Sequence, residues 1–168
     1  MMILKSNIPV KIYWLSWHDI TSIVQNLLQT SRSIYERLSC FPKGTGHIKI
    51  IISLCKRKIF TLVSSEILEF EINKTSDILR RERLKILKSI AEEKIKIDER
   101  IEKRAKNFEK SGIQSFDALH LACAETKCDL LITVDRKFLR KAKEITDLDI
   151  KVIGPLELLK EVLYERDE

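Results

Sequence analysis

Two aspartates and a group of glutamates have the residue types and positions for metal or phosphate chemistry. Asp135 directly follows Leu130-Leu131-Ile132-Thr133-Val134, an apolar, β-branched run that reads as a buried strand. In an open parallel α/β sheet, ligands bind beyond the carboxyl ends of the strands, which is where Asp135 would stand. Asp135 also suits the N-cap of a helix over residues 136–143, and taken alone that structural role is the commoner one. Asp117 lies in the first turn of a helix opened by Ser115, among Phe116, Ala118, Leu119, Leu121 and Ala122. The helix dipole favours a carboxylate there. An acid in such apolar company is nevertheless costly unless it is paired or bound to a metal. Glu66, Glu69 and Glu71 follow a strand-like run at residues 59–63. They cannot all face one way, since Glu69 and Glu71 are two apart on a helix. Most belong on the solvated surface, and one could reach the sheet edge that Asp135 occupies. Carboxylates meeting at such an edge repel one another unless a divalent cation joins them. Oxygen-only ligation suits Mg²⁺ or Mn²⁺, and such a centre can activate water against a phosphodiester. His18, His47 and His120 lack metal-ligand spacing. His120 lies one turn after Asp117, reads as a helix-surface residue, and stays outside the catalytic set.

The elements that must position these acids are legible from residue 48 onward. Strands are expected over 59–63, 130–134 and 150–153. Helices are expected over 66–73, 80–91, 98–110, 116–126 and 156–164, with Ser64-Ser65 and Ser115 as N-cap candidates and Gly112 as a stop. Strands alternating with helices imply βα units and an α/β fold with a parallel sheet. Before residue 48 the pattern is weaker: a strand over 10–15, a helix over 20–28, and no convincing period from 31 to 47, where Pro42, Gly44 and Gly46 interrupt.

With 168 residues, of which 44% are hydrophobic and 33% charged, the expected organisation is one domain with a real core. No apolar run approaches the ~18 residues of a membrane span, and the first ten residues lack a signal-peptide pattern. Aromatic residues, at 7%, weigh against an RNA-stacking module. The net charge of +6 is unevenly distributed: residues 1–60 hold nine basic and two acidic side chains, and the remainder is close to neutral. A basic sector suits a polyanion partner, although +6 is also ordinary solubility charge for a small domain. Cys40, Cys55, Cys123 and Cys128 form no CxxC pair, so neither zinc nor disulfides are expected. Cys55 and Cys123 read as buried small hydrophobes, and a reducing cytoplasm is the expected compartment.

The run Ser115-Phe116-Asp117-Ala118-Leu119-His120-Leu121-Ala122, then Asp129-Leu130-Leu131-Ile132-Thr133-Val134-Asp135, resembles the PIN-domain nucleases. Leu62-Val63-Ser64-Ser65-Glu66-Ile67-Leu68-Glu69-Phe70-Glu71 is similar to that family's second strand and acidic helix. The resemblance covers roughly residues 48–160, within a single PIN-like domain over 1–168 whose first 47 residues are divergent. It implies a three-layer α/β sandwich with a central, mostly parallel sheet. It also implies an endoribonuclease with Mg²⁺ or Mn²⁺ held by clustered acids. Many small members are VapC-type toxins neutralised by an antitoxin protein and often dimeric. Asp117 and Asp135 match the family's acids by position. The helix glutamate falls on Glu71, with Glu69 as the alternative in a shifted register. The departure is at the first strand, which in the family ends in an aspartate followed by Thr or Ser. Here Lys11-Ile12-Tyr13 is followed by Trp14-Leu15-Ser16-Trp17, and the first acid of the chain is Asp19. Asp19 could supply the missing ligand after an insertion, its place in the sequence could be accidental, or a changed reading frame could have rewritten residues 14–47. A catalytically impaired PIN fold that binds RNA or a protein is the alternative that this departure raises.

Overall fold

The computed structural model describes residues 9–15 and 46–164. Asp19, His18, Cys40 and the helix expected over 20–28 lie outside the described residues. Among the described residues, β1 (Val10–Trp14), β2 (Phe60–Ser65), β3 (Glu93–Ile95), β4 (Leu130–Ile132) and β5 (Lys151–Ile153) form one sheet in the order β3-β2-β1-β4-β5. Every pairing is parallel, with Tyr13 level with Val63 on one side and Leu131 on the other. The helices are α1 (Gly46–Lys56), α2 (Glu66–Lys74), α3 (Ile78–Lys88), α4 (Glu99–Lys110), α5 (Ser115–Lys127), α6 (Arg136–Lys143) and α7 (Pro155–Tyr164). This is the expected α/β architecture, with the sheet wholly parallel.

Successive strand residues point to opposite faces of a sheet, and here both faces are buried. Ile12, Trp14, Leu62, Leu130 and Ile132 pack with α1, α3 and α7 on one side. Tyr13, Leu15, Val63, Leu131 and Val152 pack with α4, α5 and α6 on the other. Sheets covered on both faces carry near-continuous apolar strands, which is why Leu130-Leu131-Ile132 does not alternate. The α4 and α5 pair is tied by Arg104. Its guanidinium makes two bonds to the Glu125 carboxylate, at 2.7 and 2.9 Å, and reaches Asp147 before β5 at 2.6 Å.

Local signals set the element ends. Ser65 caps α2, its Oγ accepting the Leu68 N–H at 3.3 Å. Asp98 caps α4 in the same way through the Ile101 N–H at 2.9 Å. Gly112 follows α4 with φ of 85°, a left-handed conformation that glycine adopts without penalty. The expected cap at Ser115 is corrected: Ser115 is the first helical residue, because Gln114 takes the cap position and its carbonyl accepts the Ala118 N–H at 2.7 Å. The strand expected to reach residue 134 stops at Ile132, and β3 has no counterpart among the expected strands. No helix among the described residues is long and apolar enough to cross a membrane.

Candidate functional site

Strand order reverses between β1 and β4, so the crevice outside their carboxyl ends is the natural place for a ligand. Three carboxylates approach it from different elements. Asp135 stands three residues past β4 and caps α6, with one oxygen accepting the N–H groups of Lys137 and Phe138 at 2.8 and 3.0 Å. The structural role weighed for it is therefore realised, and its second carboxylate oxygen has no hydrogen-bond partner among the described residues. Asp117 lies in the first turn of α5 and is half-buried. Among the described residues, no hydrogen bond or ion pair reaches its carboxylate. Burial pushes Asp117 above the ordinary carboxylate range, and the charges of Asp135 and Glu71 add to that push. His120 and Lys141 act against it. Asp117 is thus within electrostatic reach of both other acids.

Glu71, on the last turns of α2, is held by a chain of buried hydrogen bonds. Its Oε2 lies 2.8 Å from His120 Nε2. His120 Nδ1 lies 2.6 Å from the Tyr13 hydroxyl, which lies 2.6 Å from Ser65 Oγ. The donors order consistently in one direction: Ser65 to Tyr13, Tyr13 to His120, His120 to Glu71. Ser65 Oγ meanwhile accepts from Leu68, so every member is satisfied. Central strand β1 is thereby linked to the acid on α2. His120 is 1% exposed, so the surface role expected for it is wrong. The signal in the sequence was the neighbourhood: Ala118, Leu121, Ala122, Cys123 and Ala124 are all buried, so α5 has little free surface for a histidine to occupy.

The other two helix glutamates are engaged elsewhere. Glu69 pairs with Lys88 on α3 and Lys94 on β3, and those lysines hold its carboxyl down at about 2. Glu66 accepts the Ile97 N–H at 2.9 Å and closes the turn after β3. Lys141, not singled out from the sequence, bonds to the Gly112 carbonyl and brings a positive charge near Asp117.

Leu15 follows β1 directly, within the stretch 14–17 where the family resemblance calls for an acid. Its N–H bonds to the Ile132 carbonyl at 3.0 Å, which sets it beside Thr133, and its side chain is buried in the core. Among the described residues, no three Asp, Glu, His or Cys side chains close to the spacing of a complete metal-ligand group. The donor set still fits a hard cation. Among the described residues, each of the three acids keeps at least one oxygen free of hydrogen bonds, and Mg²⁺ retains several waters when held by one or two carboxylates. An unpartnered, half-buried Asp117 is the side chain that such a cation would satisfy.

A model of the PIN domain matches residues 50–144. Among solved structures the chain is similar to one in the crystal structure of VapBC2 from Rickettsia felis bound to a DNA fragment from their promoter. That similarity has a TM-score of 0.53 and 17% sequence identity, and covers 85% of this chain and 98% of the other. It is a likeness of fold. No curated protein matches the chain. The domain match takes in α2, α5, β4 and α6, which carry Glu71, Asp117 and Asp135, and spans more than half of the sequence: the chain belongs to the PIN-domain family.

Proposed function

We propose that the chain is a metal-dependent endoribonuclease and the toxin of a toxin–antitoxin pair, cutting RNA phosphodiesters in the cytoplasm with Mg²⁺ or Mn²⁺. The observation that carries this is the approach of Asp117, Asp135 and Glu71 near the carboxyl end of a parallel sheet, with Asp117 disfavoured as an anion first by burial and then by the other two charges. A divalent cation held by these three would supply charge neutralisation and activation of water at the phosphodiester. The chain's own residues do the rest. Tyr13 and His120 fix the Glu71 carboxylate. The α6 amides fix Asp135. Arg136 and Lys137, both exposed, draw the phosphate backbone from α6 together with the basic N-terminal third. Asp19, outside the described residues, is the fourth acid in this reading. The likeness of fold to a chain of the VapBC2 structure supports an antitoxin protein as partner, and a homodimer is the proposed assembly.

A second reading has one observation in its favour. Trp14 and Leu15, in the stretch where the resemblance calls for the first acid, are core residues that cannot bind a cation. On that reading the chain keeps the fold and binds RNA or a protein without cutting. Incubating the purified chain with a mixed single-stranded RNA pool and Mn²⁺ separates the two. The nuclease cleaves, and Asp117→Asn and Asp135→Asn each lose about a hundred-fold or more of the rate while circular dichroism stays native. No cleavage by the parent chain at high Mn²⁺ rejects the nuclease and leaves the impaired fold.

A further inference from the structure

Beside the carboxylates lies an open cleft of about 270 Å³, lined by Phe70, Glu71, Lys74, Thr75 and Phe116. Phe70 on α2 and Phe116 at the start of α5 are 44% and 50% exposed. Leaving two large rings in water is unfavourable by the apolar area each exposes, and here the two are also aligned. Their centroids are 6.2 Å apart with the planes only 23° from parallel. Lys74, one turn after Phe70, carries its ammonium 4.5 Å above the Phe70 ring, and among the described residues it has no ion-pair partner. Arg81 donates to the Thr75 carbonyl at 3.4 Å, bringing a second cation to the far wall. Helix α3, which follows directly, holds Arg80, Arg81, Arg83, Lys85 and Lys88 against Glu82 alone. Glu71 lines this cleft and is also one of the three carboxylates, and Phe116 is the chain neighbour of Asp117. A molecule lying in the cleft therefore runs directly to the acids.

We propose that Phe70 and Phe116 form a stacking platform for one nucleobase of a single-stranded RNA, with Lys74 and Arg81 beside its phosphates, seating the strand next to the carboxylate centre. The proposal rests on the ribonuclease reading and names how that site takes its substrate. Base stacking on aromatic side chains is tolerant of sequence because every base offers a π-face. Cations beside paired rings suit a polyanion and disfavour a basic or neutral peptide. The platform is local, two rings outside the core, so the low aromatic content of the whole chain does not bear on it. Phe70 and Phe116 are positioning residues, touching a base and not the reacting atoms.

The test measures binding of a short single-stranded oligoribonucleotide by fluorescence anisotropy without divalent metal, so that nothing is cut. The parent chain is compared with Phe70→Leu and Phe116→Leu, which keep apolar bulk but lose the ring, and with Phe70→Tyr and Phe116→Tyr, which keep it. Each leucine variant is expected to raise Kd on the order of ten-fold, and each tyrosine variant to restore it. An oligonucleotide with an abasic site at the seated nucleotide should bind the parent as weakly as the leucine variants do and show no further loss with them. Leucine variants that bind within two-fold of the parent overturn the platform alone. If the same variants shift the chain from dimer to monomer by light scattering while leaving RNA affinity unchanged, the rings belong to an interface between copies and the platform is likewise overturned. No binding of any oligonucleotide by the parent overturns the platform and the ribonuclease reading together.

Discussion

Asp117 is the residue whose surroundings conflict most with its charge. Burial and two neighbouring acids raise its pKa, so the ionised form destabilises the metal-free fold at neutral pH. Asp117→Asn removes that charge and keeps the shape. The expected result is a metal-free variant more stable than the parent, read as a higher thermal midpoint, with cleavage lost. This is the trade expected where function holds a strained site. The cysteines give the opposite case, residues settled by burial. Cys55, Cys123 and Cys128 have thiols pushed up to about 12. A raised folded-state pKa contributes stability that is complete below the unfolded value and lost as pH rises toward the folded one. The alkaline limb of a stability–pH curve should therefore fall between about 9 and about 12. At neutral pH, peptide mapping after iodoacetamide should find these three unmodified until denaturant is added; rapid labelling of the native chain would contradict their burial. At this scale the placement of Asp117 in a first helical turn and of Asp135 at a cap beyond a strand was legible, because the apolar pattern around each is a property of sequence. The burial of His120 could be read from its apolar neighbours, but its partners could not, because Tyr13 and Glu71 are 107 and 49 residues away.

At the scale of elements, strands and helices with strong periods were readable and their junctions less so. Residues 60–65, 99–110 and 136–143 fall within a residue or two of expectation, the strand because it is an almost wholly buried run and the helices because each has a buried face and a capping side chain. Strand β3 was invisible: Glu93-Lys94-Ile95 has one buried residue and exists because it pairs with β2 at the sheet edge. The Tyr13–His120–Glu71 relay joins three elements, and its removal should be felt in both stability and site geometry. Tyr13→Phe strands Ser65 and His120 Nδ1 in the core, which should cost about 1–3 kcal/mol and weaken Mn²⁺ affinity through a loosened Glu71. A variant with full stability and unchanged Mn²⁺ affinity would show that the relay holds nothing. Arg104→Met leaves Glu125 largely buried without its bidentate partner on the α4–α5 interface. Urea unfolding should find it about 2–3 kcal/mol less stable, with cleavage per folded molecule unchanged.

For the molecule as a whole, the all-parallel order β3-β2-β1-β4-β5 is what brings Glu71 on α2, Asp117 on α5 and Asp135 at the cap of α6 toward the carboxyl end of the sheet. That convergence follows from alternating βα units with β1 at the centre, and a single sequence contains the alternation but not the sheet order. At the end of the central strand the chain carries Trp14 and then Leu15, both buried, where the family resemblance calls for an acid. Whether three carboxylates hold a cation is therefore the question on which the functional reading turns. Isothermal titration of the metal-free chain with Mn²⁺, beside Asp117→Asn and Glu71→Gln, answers it most directly. The expected result is saturable binding by the parent and at least a ten-fold weaker association in both variants. Binding that is absent in the parent, or unaltered by either substitution, would contradict a carboxylate metal centre at this crevice.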